Sequence, residues 1–296
     1  MKTPVFEGAG VAIVTPFSGD GSIDFPAFRK LIDFQINGGT DAIIVCGTTG
    51  EASTQTTEEH MRTVAECVKH VAGRVPVIAG TGSNDTAHAL EMSEEAEKNG
   101  ADALLLVTPY YNKTTQAGLI KHFTYIADRV NIPIILYNIP GRTGMAISID
   151  AFVELSKHPK INGVKESTGD IAATAEMMRR CGDNMNVWSG DDNLIVPLMS
   201  IGAKGVISVL ANIMPAETAK ICHDFLDGNT AAAGKAQVSA MEIINALFVE
   251  VNPIPVKTAL NLMGMDAGML RMPLCEMSPK NLETLRKAMQ NAGLSV

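Results

Sequence analysis

The sequence predicts an α/β protein, a TIM (β/α)8 barrel with a C-terminal helical appendage. Eight short apolar segments, rich in β-branched residues, alternate with longer segments of helical periodicity. Because the short segments lack polar alternation, they are typical of parallel strands that are buried on both faces. Repeated βαβ units close into a barrel, and 296 residues are enough for one barrel with additions.

The predicted elements follow one another in a regular order. Asp24 and Asp170 each stand where a helix N-cap is expected, and Thr56 with Glu59 forms a capping-box pattern. The strands are expected at residues 11–14, 42–45, 75–78, 103–107, 132–137, 161–165, 185–188 and 205–209. Three helices without intervening strands, the last capped by Ser278, are expected at residues 230–251, 256–263 and 278–292. We therefore expect a barrel over residues 1–226 and a helical region over 227–296.

Composition excludes several classes of function. The net charge of −8 opposes a nucleic-acid surface, and no apolar run reaches the roughly 18–20 residues that cross a bilayer. The first ten residues lack the apolar segment of a signal peptide. Five cysteines without a CxxC pair indicate reduced thiols, and six histidines show no metal-ligand spacing. We expect a cytoplasmic protein with no metal site.

Lys165 is the most informative residue. It ends the sixth predicted strand, and the active sites of such barrels lie at the C-terminal ends of the strands. Removing an ammonium from water favours the neutral amine, which attacks carbonyl groups to form a Schiff base. The alternative is a structural lysine paired with Glu166 or with an aspartate across the barrel. Lys204 and Lys257 are weaker candidates for the same chemistry.

Other strand-end residues suit a Schiff-base site. Tyr137 ends the fifth strand, where a phenol can pass protons to and from an imine. The segment 47–50 offers backbone amides and two hydroxyls to a carboxylate, and Arg142 offers a planar fork to a second one. Each also has an ordinary interpretation, as a packed tyrosine, a common βα turn or a surface arginine. For Asp191 and Asp192, a loop or capping role is favoured over metal binding.

Seven motifs then carry a resemblance to a known family. They are GTTGE (47–51), TPYYN (108–112), YNIPGRTG (137–144), GVKES (163–167), SGDD (189–192), GVIS (205–208) and NPIPVK (252–257). In this order and spacing, over nearly the whole chain, they resemble the dihydrodipicolinate (4-hydroxy-tetrahydrodipicolinate) synthases. More broadly, the chain is similar to the pyruvate-dependent class I aldolases, which include N-acetylneuraminate lyase.

The resemblance implies a reaction and a set of roles. Pyruvate would form an imine with the lysine and then condense with L-aspartate semialdehyde, without a metal or organic cofactor, in a lyase of lysine and diaminopimelate biosynthesis. The implied assembly is a homotetramer built as a dimer of dimers. The implied catalytic residues are Lys165, Tyr137 as proton donor and acceptor, and Thr48, which would link Tyr137 to Tyr111 of a neighbouring subunit. The implied substrate-binding residues are Thr49 and the Ile207 backbone for pyruvate, and Arg142 and Gly190 for the aldehyde.

Two alternatives remain at this point. Another aldolase or lyase of the superfamily would act on a sugar acid or a 2-keto acid. Thr48, Thr49 and Arg142 favour the synthase, because the lyase usually has serine at the first position and lacks the arginine. The remote alternative is an inactive barrel that only binds a metabolite.

The resemblance also bears on regulation. Many family members bind lysine in a cleft between subunits, and the matching residues here include Ser53, Thr57, His60, Asn84, His88 and Tyr110. Thr57 stands where lysine-sensitive members have a histidine, and His88 where they have a glutamate that meets the lysine ammonium. An imidazole does not replace that anion, so we expect weak or no inhibition by lysine. Alternatively, these are interface residues that bind no ligand.

Overall fold

The computed structural model describes residues 2–296, so Met1, the first residue of the predicted barrel segment, lies outside the described range. Eight parallel strands close into one barrel in chain order, which confirms the predicted fold class. The strands are β1 Gly8–Ala12, β2 Ala42–Val45, β3 Val77–Gly80, β4 Ala103–Val107, β5 Ile134–Asn138, β6 Ile161–Glu166, β7 Asn186–Ser189 and β8 Gly205–Ser208.

Helices surround the barrel and continue beyond it. Those that alternate with the strands are α1 Phe25–Asn37, α2 Thr57–Val71, α3 Thr86–Lys98, α4 Gln116–Ala127, α5 Pro140–Thr143, α6 Ile149–Ser156, α7 Ile171–Cys181, α8 Ile195–Met199 and α9 Pro215–Leu226. The later helices are α10 Thr230–Ser239, α11 Met241–Ala246, α12 Ile254–Leu262 and α13 Pro279–Asn291. Within residues 2–296, none of these helices has the length and apolar character needed to span a membrane.

The first strand begins three residues earlier than predicted. β1 pairs with β8 from Gly8, opposite Gly205, although neither glycine carries an apolar signal in the sequence. The two backbones approach so closely that a Cβ at Gly205, where φ is 144°, would lie 1.8 Å from the Gly8 carbonyl oxygen. The ladder therefore begins at a glycine pair, and an apolar-run criterion places this strand too late.

The predicted caps are largely confirmed. The Asp24 and Asp170 side chains accept from the amides of α1 and α7, and Thr56 with Glu59 forms the capping box of α2. Ser278 occupies the N-cap position of α13 but makes no side-chain cap hydrogen bond. Its hydroxyl donates to Glu250 instead. Ser278 is therefore the N-cap residue, as predicted, but its side chain does not make the hydrogen bond to the helix amides that a cap usually provides.

The helix predicted over residues 230–251 is interrupted. α10 ends before Ala240, α11 ends at Ala246, and Asn252 precedes Pro253 through a cis peptide bond. A residue before proline is disfavoured in the helical conformation, so the chain does not continue as a helix through Asn252 into Pro253, although this does not account for the earlier break at Ala240. This turn sends Asn252 back toward the barrel, where it becomes part of the site described below.

One apolar core joins the barrel to the later helices. Val256 and Leu260 of α12 and Leu285 of α13 belong to the same buried cluster as Val11 and Val45 of the barrel. A separate cluster fills the barrel interior and includes Tyr137, Trp188 and Ile207. The division at residue 226 stays a prediction, since the helices on both sides of it share a core.

Candidate active site

Lys165 lies near the C-terminal end of β6 and is 6% exposed. Its Cα partners across the sheet are Tyr137 of β5 and Trp188 of β7. The carboxylate of Glu166 accepts from the Asn138 side chain at 2.9 Å and from the Thr168 amide at 2.8 Å. The alternative that Lys165 is held in an ion pair with Glu166 therefore lacks support. Among the described residues, no salt bridge involves the Lys165 ammonium.

Tyr137 lies directly beside this amine. The Lys165 Nζ atom is 4.3 Å from the centroid of the Tyr137 ring, and Tyr137 is 6% exposed. The two side chains meet because adjacent parallel strands end at the same rim of the barrel and point the same way at paired positions. A nucleophile and a phenol are thus held together in a water-poor environment.

A small cavity of about 40 Å³ opens above this pair. Six of the eight residues expected to act on substrates line it: Lys165, Tyr137, Thr48, Thr49, Arg142 and Gly190. The other lining residues include Asp191, Val209, Phe248 and Asn252. Ile207 is buried in the barrel interior and does not line the cavity. Tyr111 does not line it either.

The loop after β2 presents Thr48 and Thr49 to the cavity. The Thr49 hydroxyl accepts from the Asn252 side-chain amide at 3.0 Å. Thr48 is exposed, and in the part of the chain from residue 2 onward its hydroxyl has no hydrogen-bond partner. The loop closes on itself through the Gly50 and Glu51 amides, which donate to Gly47 and Thr48 carbonyls at 3.1 Å. The backbone amides of Thr48 and Thr49 make no such bond within residues 2–296, and they remain available to an anion.

Tyr111 is far from enclosed. It is 92% exposed and has a φ of 64°, an uncommon conformation for a residue other than glycine. Within the described chain its hydroxyl makes no hydrogen bond to Thr48 or Tyr137, and it lines neither cavity beside them. A single chain therefore does not form the relay of these three residues that the family resemblance implies.

Arg142 lies on the short helix α5, directly after β5. Its guanidinium donates to the Asn252 carbonyl oxygen at 3.2 Å, and it borders both the small cavity and a larger one. The side chain is exposed apart from this contact, so most of its five donors are free. A planar cationic fork at a cavity mouth suits a substrate carboxylate.

Comparisons with known proteins agree with this geometry. The chain matches the model of the "Dihydrodipicolinate synthetase family" over residues 5–292. It is 54% identical over 292 residues to the 4-hydroxy-tetrahydrodipicolinate synthase of Thermoanaerobacter sp. strain X514, covering 98% of both chains.

The chain belongs to the dihydrodipicolinate synthetase family.

Solved structures of the family share the whole fold. The dihydrodipicolinate synthase of Aquifex aeolicus superposes with a TM-score of 0.96 at 46% identity, covering 98% of this chain and 99% of that one. The chloride-inhibited synthase of Acinetobacter baumannii, solved with pyruvate, superposes with a TM-score of 0.95 at 44% identity, covering 97% of this chain and 99% of that one. The resemblance inferred from the seven motifs is thereby confirmed.

Gly190, between β7 and α8, packs closely against the lysine. A Cβ built on it would lie 1.8 Å from the Ser167 hydroxyl and 3.0 Å from Cε of Lys165. Its amide donates to the Glu166 carbonyl at 2.7 Å, which fixes the loop in this place. The position therefore requires the absence of a side chain for a reason the sequence alone did not reveal.

Asp191 and Asp192 have different surroundings. Asp192 is 1% exposed and accepts from the Ser208 hydroxyl and from the Val209 and Leu210 amides, so it supports the loop after β8. Asp191 borders the cavity, where burial raises its pKa to about 6 against the opposing effect of the Lys165 charge. Asp191 thus carries its negative charge beside the lysine only above about this pH. Within residues 2–296, no group of three His, Cys, Asp or Glu side chains is placed to hold a metal ion.

Asn252 was missed by reasoning from individual residues. It is 5% exposed, it contacts both Thr49 and Arg142, and its side-chain oxygen has no partner among the described residues. Asn252 begins the motif NPIPVK, but the motif by itself does not indicate which groups this side chain contacts. A buried amide with one free acceptor is a group that a ligand can satisfy.

The weaker lysine candidates are engaged elsewhere. Lys204 lies 3.2 Å from Glu7 in an ion pair at the N-terminal ends of β1 and β8, opposite the site. Lys257 is buried in an ion pair with Glu51. Of the three lysines considered, only Lys165 combines burial with an unpaired amine at the cavity.

A larger cavity of about 420 Å³ adjoins the site and shares Thr48, Tyr137 and Arg142 with it. Ser53, His60, His88 and Tyr110 of the predicted regulatory cleft line this cavity, and Asn84 does not. Burial lowers the pKa of His60 to about 4, so this side chain is neutral at physiological pH, with its Nε2 atom 2.8 Å from the Gly80 carbonyl oxygen. His88 lies 3.7 Å from Glu91. His88 therefore contributes an imidazole, and not a carboxylate, to the wall of this cavity.

Proposed function

We propose that this chain condenses pyruvate with L-aspartate semialdehyde to form 4-hydroxy-tetrahydrodipicolinate, the first committed step of lysine and diaminopimelate biosynthesis. The observation that carries the proposal is the unpaired, buried Lys165 amine beside Tyr137 in a cavity that also presents Thr49 and Arg142. Membership of the family and relatives of similar length that bear the synthase name support the same reaction.

The proposed chemistry begins with carbon–nitrogen bond formation. Lys165 Nζ attacks C2 of pyruvate, and loss of water gives an imine. Removal of a C3 proton yields an enamine, whose C3 attacks the aldehyde carbon of aspartate semialdehyde to form the carbon–carbon bond. The amino group of the second substrate then displaces Lys165 from the imine carbon, which closes the ring and frees the lysine. The imine serves as the electron sink, so this sequence requires neither a metal nor an organic cofactor.

Tyr137 is the proposed proton donor and acceptor for these steps. The phenol is adjacent to the lysine, as a general acid–base requires. Thr48 would connect it to Tyr111 of a neighbouring subunit, in a homotetramer built as a dimer of dimers. The exposure of Tyr111 supports this arrangement, since an aromatic side chain that is 92% exposed is available to a neighbouring site. A cytoplasmic location is part of the same proposal.

The two substrate carboxylates have separate proposed partners. Thr49 and the free loop amides would bind the carboxylate of pyruvate, with the Ile207 backbone beside it. Arg142 would bind the carboxylate of aspartate semialdehyde, which would pass close to Gly190. With the two carboxylates held apart in this way, the carbonyl carbons of pyruvate and of aspartate semialdehyde would lie between the two binding groups, next to Lys165 and Tyr137.

Borohydride trapping tests the proposal. Reduction in the presence of pyruvate should convert the imine to a stable secondary amine, and mass analysis of the peptides should place it on Lys165. An adduct on Lys204 or Lys257, or none, would exclude the mechanism. Turnover of aspartate semialdehyde in a coupled assay then separates the synthase from a lyase that acts on a sugar acid.

Replacement of Arg142 by alanine tests the assignment of the second carboxylate. A charge-assisted hydrogen bond contributes about 1.5–3 kcal/mol, so kcat/KM for aspartate semialdehyde should fall roughly ten- to hundredfold. Pyruvate trapping should suffer less, because the proposed partners of the pyruvate carboxylate are Thr49 and the free loop amides, and Arg142 is not among them. Arg129→Ala, which removes an arginine on the surface near Tyr125, is the control. Equal losses in both steps would assign Arg142 a structural role.

Weak or absent inhibition by lysine stays a prediction. In the larger cavity, His88 offers an imidazole where a bound lysine ammonium would need an anion. A lysine titration of the coupled assay should show no strong inhibition below millimolar concentration. Sub-millimolar inhibition would require another carboxylate, such as Glu91, to turn into the cavity.

A further inference from the structure

A buried ion pair holds the loop after β2, residues 46–51, which we call the substrate loop. This ion pair has no part in the proposed chemistry. The Glu51 carboxylate and the Lys257 ammonium are 2.7 Å apart, and both side chains are 1% exposed. Glu51 ends the segment GTTGE after β2, whereas Lys257 lies on α12 in the C-terminal region. The pair therefore joins the loop to a part of the chain that follows the barrel.

The ammonium of Lys257 is fully engaged. Besides Glu51, it donates to the Thr15 carbonyl at 3.0 Å and to the Met269 carbonyl at 2.5 Å. With all three protons in hydrogen bonds, this amine is an anchor and not a nucleophile. Thr15 in turn donates from its hydroxyl to the Gly50 carbonyl at 2.8 Å, so the same cluster holds the loop from below.

The carboxylate of Glu51 is held on both oxygens. One accepts from Lys257, and the other accepts from the Arg271 backbone amide at 3.0 Å. The backbone of Glu51 is in the left-handed region, with a φ of 51°, which reverses the chain directly after Gly50. The side chain thus fixes a backbone conformation that few residues other than glycine adopt.

The start of α12 reaches the same loop a second time. Asn252, just before this helix, donates to the Thr49 hydroxyl at 3.0 Å and accepts from Arg142 at 3.2 Å. Lys257 therefore fixes both the loop and the helix whose start orients the Thr49 hydroxyl. The Thr49 hydroxyl and the Asn252 side chain, which lie far apart in the sequence, are therefore both held in place through Lys257.

We propose that the Glu51–Lys257 pair is a positioning device for the loop that binds the pyruvate carboxylate. It sets the direction of the Thr49 hydroxyl and of the free Thr48 and Thr49 amides, and so it controls affinity for pyruvate more than the later proton transfers. The inference rests on the proposed function. Buried ion pairs add little net stability compared with well-packed apolar residues, so stability alone gives little reason for this one.

The decisive comparison is between single and double variants. Glu51→Gln leaves a buried ammonium without its counter-charge, whereas Glu51→Gln with Lys257→Met removes both charges and recovers stability. We expect the half-saturating pyruvate concentration for borohydride trapping to rise at least about tenfold in both. The kcat at saturating pyruvate should stay within about threefold of the unmodified protein. Glu7→Gln with Lys204→Met removes an ion pair at the opposite end of the barrel and should change neither quantity.

Each outcome of these measurements either supports or overturns the proposed positioning role of the Glu51–Lys257 pair. Unchanged pyruvate dependence in the folded double variant would overturn the proposal, as would equal losses in pyruvate affinity and kcat. If both variants fail to fold, as judged by thermal unfolding followed through Trp188, the pair serves folding alone and the proposal is wrong. If the unmodified protein itself forms no pyruvate adduct, the proposed function fails, which is distinct from a failure confined to the variants.

Discussion

Replacing Tyr137 by phenylalanine should lower kcat by roughly 10²–10⁴-fold, the usual effect of removing a general acid–base group. The ring beside Lys165 remains, so the packing of the barrel interior and the 4.3 Å approach of the ammonium to the ring are preserved. Only the hydroxyl, which is the proposed proton donor and acceptor, is lost. Steady-state turnover with both substrates measures the effect.

The matched control is Tyr125→Phe, the same chemical change on the outer face of α4, where the ring is 44% exposed. This variant should retain full activity. Thermal unfolding of both variants should remain close to that of the unmodified protein, because no buried group loses a partner. Turnover of Tyr137→Phe within about threefold of normal would remove the phenol from the mechanism.

Gly190→Ala should lower the rate of imine formation by roughly tenfold, less than the roughly hundredfold loss that a 1 Å misplacement of a reacting group can cause, because the contact displaces Cε of Lys165 by only a few tenths of an ångström. The added methyl group would lie 1.8 Å from the Ser167 hydroxyl and 3.0 Å from Cε of Lys165. The hydroxyl can rotate away, whereas relief of the contact with Lys165 requires a small shift of its side chain. Borohydride trapping at short times measures the rate.

A second substitution makes this prediction sharper. The Ser167 hydroxyl is buried and has no hydrogen-bond partner within residues 2–296, so Ser167→Ala should be nearly neutral alone. Combined with Gly190→Ala, it removes the worst overlap and should restore part of the rate. The remaining loss then reports the contact with Lys165. No recovery in the double variant would show that the loss arises elsewhere, for example from the Gly190 amide.

The sequence predicted the barrel well because its signals are local. Each strand is a run of apolar residues buried on both faces, and such a run is visible without knowledge of its neighbours. The errors fall where that signal weakens. β1 begins at Gly8 and β3 extends to Gly80, and glycine adds nothing to an apolar pattern even when the ladder continues through it.

Prediction of the site was good where strand order decides proximity, and poor elsewhere. Lys165 and Tyr137 lie at paired positions near the ends of adjacent strands of a barrel, so their contact follows from the fold class. The bonds of Asn252 to Thr49 and of Lys257 to Glu51 span more than two hundred residues. No local pattern encodes such contacts, because they depend on how the last helices pack. Tyr111 could not be placed in a site by a single chain, since its proposed partners belong to another copy.

The groups that hold the substrate loop belong to a part of the chain that is synthesised after the barrel strands. All eight strands precede α9, which ends at Leu226, yet the groups that hold Glu51 include Lys257 and the Arg271 amide. At a synthesis rate of roughly 5–20 residues per second, the ribosome needs several seconds to extend the chain from the end of α9 to Arg271. A nascent chain therefore contains Lys165 and every strand before the groups that hold Glu51 exist, so the loop after β2 reaches its final position only when the chain has been extended to Arg271 and has folded back.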